Sequence, residues 1–195
     1  MKKLLTAILR FMEWLMFLPR EDNPSPSTME AEVPQETPLE GNLSSAKRLR
    51  EGIQVGFPHD ALRRWGCYFF VLLRWSEEIT GRGVREEDIV PLFERASAQT
   101  MPEPNDPSRR IPVVTKNCFV NDPVRLLNFL AGETAVRKVS LRTNDRGHPI
   151  PTERIFVARE KHPRHGAHFV LVIDGQRWDS WPLAGRQPEG FRVLT

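Results

Sequence analysis

Cys67, His168 and Asp179 are the residues of this sequence whose types and spacing best suit covalent chemistry. Cys67 follows Trp65-Gly66 and opens the run Cys67-Tyr68-Phe69-Phe70-Val71-Leu72-Leu73. Apolar residues cover nearly every side from Cys67 to Ile79, which predicts a helix central to its domain. A thiol in the first turn of a helix sits where unpaired N–H groups and the helix dipole favour the thiolate, and the same N–H groups suit an oxyanion. Gly66 permits close backbone approach just before it.

The partners of that thiol come from a hairpin about a hundred residues later. His168-Phe169-Val170-Leu171-Val172-Ile173 predicts a strand, Asp174-Gly175 a two-residue turn, and Gln176 to Trp181 the return strand. Ile173 then faces Gln176, Val172 pairs with Arg177, Val170 with Asp179 and His168 with Trp181. The period of two collects His168, Val170, Val172, Arg177, Asp179 and Trp181 on one face, and leaves Phe169, Leu171, Ile173 and Trp178 for a core. Asp179 becomes the diagonal neighbour of His168, within roughly 7–8 Å by backbone spacing and closer at the side-chain tips. A carboxylate there holds one ring nitrogen and leaves the other for a nucleophile. The same residues also fit an ordinary hairpin and a small buried cysteine, and both readings stay open at this level.

In this order and spacing the chain resembles the papain-like cysteine peptidase superfamily. Its nearest likeness is to the bacteriocin-processing, double-glycine leader peptidase branch and to an uncharacterised phage- and plasmid-borne family with a Trp-Gly-Cys-Tyr-Phe helix. The likeness covers about residues 60–195 and implies an α+β papain-like fold, with N-terminal helices packed on an antiparallel sheet. It implies a catalytic set of Cys67, His168 and Asp179, a peptide or protein substrate, and no cofactor or metal. Papain-like enzymes usually also carry a Gln several residues before the Cys as an oxyanion donor. The stretch Pro58-His59-Asp60-Ala61-Leu62-Arg63-Arg64 offers none, leaving Arg64 or His59 as substitutes.

Composition bounds the remainder. The 195 residues suffice for one domain of ordinary size with an appendage, and a surplus of 28 basic over 25 acidic residues is too small to argue for nucleic acid. Two cysteines make no disulfide framework, and a reactive thiol needs a reducing setting, so the expected location is cytoplasmic. Residues 1–19 predict an extra amphipathic helix, with Lys3, Thr6, Arg10 and Glu13 on a narrow polar stripe. Lying in a membrane interface and docking on protein are the two expectations for it. Residues 20–57, rich in Pro, Ser and Glu, predict a disordered linker, and 58–195 the papain-like domain.

Within that domain further helices are predicted at Arg85–Ala96 and over Asn121–Gly132, where Asp122 caps, Pro123 sits in the first turn and Gly132 closes. Pro102 to Pro112 reads as a loop. Strands are predicted at 135–141, 154–159, 168–173, 176–180 and 191–194. His162, His165 and His168 recur every third residue, but Pro163 and Gly166 break any helix that would align them, so no metal is expected. Cys118 precedes a helix instead of opening one, which favours packing. The chemistry expected of the whole is acyl transfer through Cys67. Its competitors are a non-catalytic papain-like domain tethered to a membrane by residues 1–19, and a cell-wall amide hydrolase using the same three residues.

Overall fold

Gly66 is where two helices meet with no room for a side chain. A Cβ there would stand 2.4 Å from the Leu62 carbonyl oxygen, so only glycine lets helix α1 (Asp60–Trp65) run directly into helix α2 (Cys67–Thr80). Every side chain of α2 from Cys67 to Glu77 is buried, as expected of a helix apolar all round. Helices α3 (Glu86–Ala98) and α4 (Pro123–Ala131) are the other α-helices among the described residues. In α4 the Arg125 N–H donates to Asp122 Oδ1 at 3.0 Å, and Gly132 closes the helix at φ 73, so its cap, first-turn proline and terminal glycine act as their types suggest.

The computed structural model describes residues 47–143, 150–162, 166–182 and 188–195. The helix expected over 1–19 and residues 20–46 of the expected linker lie outside the described residues. Strands β3 (Val139–Thr143), β4 (Ile155–His162), β5 (Gly166–Ile173), β6 (Gln176–Trp178) and β7 (Pro188–Leu194) form an antiparallel sheet in the order β3-β7-β4-β5-β6. The chain is therefore α+β. Val157, Leu171, Trp178 and Leu194 join α2 in the main core. Phe156, Ala158, Val170, Phe191 and Val193 form a second, smaller cluster on alternate positions. Among the described residues no helix is long and apolar enough to cross a membrane.

Two expectations fail, each for a physical reason. Pro102–Pro112 is not a loop: β1 (Thr100–Glu103) and β2 (Asp106–Pro112) pair as an antiparallel hairpin. Prolines are tolerated there because both strands of a two-stranded sheet are edges. Residues 47–57 are not linker either. Leu49, Ile53 and Phe57 are core residues, and the backbone is tied down by Gly52 N–H to the Asp179 carbonyl at 2.9 Å and Gln54 N–H to that of Ser180 at 2.8 Å. Glu77, fully buried in α2, accepts from the Leu49 N–H at 3.0 Å and the Val84 N–H at 2.8 Å. The folded unit thus begins well before residue 58.

Ile53→Ala separates the two views of this segment. With Ile53 fully buried, the substitution is expected to cost about 2–5 kcal/mol in denaturant unfolding. A linker position would change stability by less than about 0.5 kcal/mol.

Candidate active site

The positions of Cys67, His168 and Asp179 follow from elements built for other reasons. Cys67 is the first residue of α2, held at that end by the Gly66 contact. His168 lies near the start of β5, opposite Glu160 of β4. The Asp174-Gly175 turn, with φ 49 and φ 76, sets the register Ile173↔Gln176, Val172↔Arg177 and Leu171↔Trp178. Positive φ at both turn residues gives the tight hairpin its matching twist. Asp179 falls one residue beyond β6, and its Oδ1 lies 2.8 Å from His168 Nε2.

All three side chains are buried or nearly so, and Cys67 and His168 line one cavity of about 230 Å³. Asp179 occupies Nε2, so the ring nitrogen left for Cys67 is Nδ1. The Cys67 thiol shares the cavity wall with the imidazole and acts on its protonation. Burial alone would depress the His168 pKa. The hydrogen bond and charge of Asp179, helped by the neighbouring Cys67, overcome it and raise the value from 6.5 to about 9. The imidazole is thereby kept cationic beside the sulfur.

Asp179 is itself clamped. Burial works against its charge, yet the His168 hydrogen bond and charge, the Trp181 N–H at 2.8 Å and Arg177 hold its carboxyl below the usual range. Arg177 Nη2 lies 2.8 Å from Asp179 Oδ2 and, with Nε, grips Glu160 at 3.0 and 3.2 Å. Buried Glu160 thus fixes Arg177, Arg177 fixes Asp179, and Asp179 fixes His168. The face pattern of the hairpin already placed Arg177 beside Asp179, but Glu160 lay beyond the predicted end of its strand.

Gln54 is the residue that reading the sequence missed. It is fully buried and lines the cavity with Cys67 and His168. Its amide orientation is set by donation from Nε2 to the Arg63 carbonyl at 3.0 Å and acceptance from Ser180 Oγ at 2.9 Å. Nε2 carries a second hydrogen beyond that bond. Leu49, Ile53 and Phe57 recur every fourth residue around it, and that apolar spacing was the available signal. Of the two substitutes named for the missing Gln, His59 is not among the residues lining the cavity and its Nδ1 accepts the Leu62 N–H at 3.3 Å, whereas Arg64 lines it, with Nε donating to Asp60 at 3.0 Å.

Cys118 shares the cavity wall, at φ 62 in a tight turn. Burial, helped by the nearby Cys67, pushes its thiol up to about 12, so it stays protonated and unreactive at neutral pH. His165 lies outside the described residues, and among those described no group of three His, Cys, Asp or Glu is placed to hold a metal.

The raised His168 pKa makes a signed prediction. A histidine whose pKa rises on folding stabilises the fold fully below its unfolded value, and that contribution is lost as pH climbs through the folded value. The melting temperature of the wild type relative to His168→Gln should therefore be most favourable below about pH 6.5 and decline towards pH 9. An offset flat across this window would show that His168 is not held as a cation.

Comparison with family models, with curated proteins and with solved structures finds no match for this chain, which leaves the geometry of the site to carry the functional reading.

Proposed function

We propose that this chain is a papain-like cysteine peptidase or amidase that works by thiol acyl transfer. The observation that carries the proposal is the His168 imidazole, tied to Asp179 through Nε2 at 2.8 Å with Cys67 as its neighbour on the other side at a helix N-terminus. A buried histidine paired only for stability needs no thiol beside it.

The chemistry follows from those positions. Cys67, as thiolate, attacks a peptide or amide carbonyl carbon to form the C–S bond, and the imidazolium of His168 gives its proton to the departing amine as the C–N bond breaks. Water then attacks the thioester, with neutral His168 taking one of its protons, and the released thiol and carboxylic acid close the cycle. Asp179 keeps the imidazole oriented and stabilises its cationic form, and Arg177 and Glu160 keep Asp179 in place. The carbonyl oxygen gains negative charge twice. Gln54, which lines the same cavity as Cys67 and has one Nε2 hydrogen beyond its bond to the Arg63 carbonyl, and the Cys67 N–H at the start of α2 are the donors assigned to it. Gln54 fills the role for which residues 58–64 held no glutamine, from thirteen positions before the cysteine.

Two measurements test the reading. At neutral pH and low iodoacetamide, Cys67 should be alkylated well ahead of Cys118, and His168→Ala should reduce that lead. Equal labelling of both cysteines, unchanged by His168→Ala, would favour a papain-like domain that binds a protein without catalysis. The second concerns Gln54→Ala, which should lower amide turnover about a hundred- to a thousandfold, the usual consequence of losing one oxyanion donor. Alkylation forms no oxyanion and should fall far less. Parallel loss of both would make Gln54 a structural residue only.

A further inference from the structure

Next to Cys67 in sequence, Tyr68 is 4% exposed, and its phenol oxygen is buried without a hydrogen-bond partner. Its ring stacks on Phe169 with centroids 4.4 Å apart. Arg192, half-buried on β7, brings its guanidinium carbon to 4.6 Å from each of these ring centroids. Tyr68, Phe169 and Arg192 all line the cavity that holds Cys67 and His168.

What sets Arg192 apart is its lack of a counter-charge. The other cavity arginine, Arg64, is bonded to Asp60, and Arg177 is gripped by Glu160 and Asp179. Among the described residues no carboxylate pairs with Arg192; its guanidinium lies against the two aromatic rings, and its charge and its approach to the Tyr68 hydroxyl work against the rise that burial gives the Tyr68 pKa. The acid whose charge reaches Tyr68, Asp122, is committed to Arg125 at 3.3 Å and to the α4 cap. A guanidinium held by ring contacts is fixed in direction and keeps its N–H fork for a planar anion. A buried hydroxyl without a partner is costly, and it stands beside that fork.

We propose that Arg192, with the Tyr68 phenol as a neighbouring donor, is a substrate subsite for a carboxylate, so that the Cys67 cleft acts on acidic peptide or amide substrates. This rests on the acyl-transfer reading of the same cleft. The carboxylate comes from an acidic side chain or from a chain terminus. Either is acceptor-only and planar, and matches a guanidinium fork.

The test compares two alkylating agents of the same shape, anionic iodoacetate and neutral iodoacetamide, on the full chain. Each Cys67 rate is normalised to the rate of free cysteine with that reagent. Wild type should favour iodoacetate, and Arg192→Gln should reduce the preference about tenfold, the scale of one charge-assisted contact. Tyr68→Phe, which keeps the ring stack, should reduce it less. Protection from iodoacetamide by acetyl-Ala-Glu-amide or by acetyl-Ala-Gln with a free C-terminus, with acetyl-Ala-Gln-amide as neutral control, then identifies the side chain or the terminus as the source. If the reagent preference is the same in Arg192→Gln and wild type while Cys67 still outpaces Cys118, the subsite is overturned and the acyl-transfer reading stands. If Cys67 reacts no faster than Cys118 with either reagent, that reading falls and the subsite falls with it.

Discussion

A buried carboxylate must be surrounded by donors or be neutralised, and the fold solves this problem around Asp179. Its Oδ1 receives His168 Nε2 and the Trp181 N–H, both at 2.8 Å, while Oδ2 receives Arg177 at 2.8 Å. Removing one partner from such a cluster leaves an uncompensated charge in the interior, which costs about 3–5 kcal/mol. The cluster therefore constrains three strands at once. β6 must end where Asp179 turns inward, β5 must present His168 in that register, and β4 must bring Glu160 opposite it to hold Arg177.

The stretch Trp178 to Ser180, which carries that carboxylate, joins the sheet to the segment before α1. The Asp179 carbonyl accepts the Gly52 N–H, the Ser180 carbonyl accepts the Gln54 N–H, and Ser180 Oγ reaches the Gln54 side chain. Trp178 Nε1 donates to the Leu49 carbonyl at 3.3 Å. Two parts of the chain more than a hundred residues apart are thus stitched together beside the cavity. One places the residue that orients His168, and the other places Gln54. For the acyl transfer proposed above this preorganisation matters, since donors fixed in advance need no rearrangement as charge develops.

How much of this could be read in advance depended on whether the signal was local. Asp174-Gly175 between two alternating runs defined its own register, so Leu171, Val172 and Ile173 pair as the turn dictates. The apolar run of α2 and the cap, proline and glycine of α4 were local as well. Residues 47–57 carried a weak signal, with Leu49, Ile53 and Phe57 spread among polar residues in a stretch without helix or strand. Their burial comes from partners far away in sequence, Trp178 to Ser180 among them, and Gln54 was hidden with them. Pro102 to Pro112 read as a loop, yet it forms a two-stranded hairpin, whose free edges make the ladder donor that proline lacks dispensable.

The central claim is that Cys67, His168 and Asp179 act as one electrostatic unit, and the protonation of His168 reports it most directly. Imidazole NMR of His168, followed against pH in the native chain and in Cys67→Ala, measures it without any substrate. The account predicts a cationic ring in the native chain up to about pH 9, and a lower titration point once the thiol is removed. A His168 ring that titrates at the same pH with and without Cys67 would contradict it.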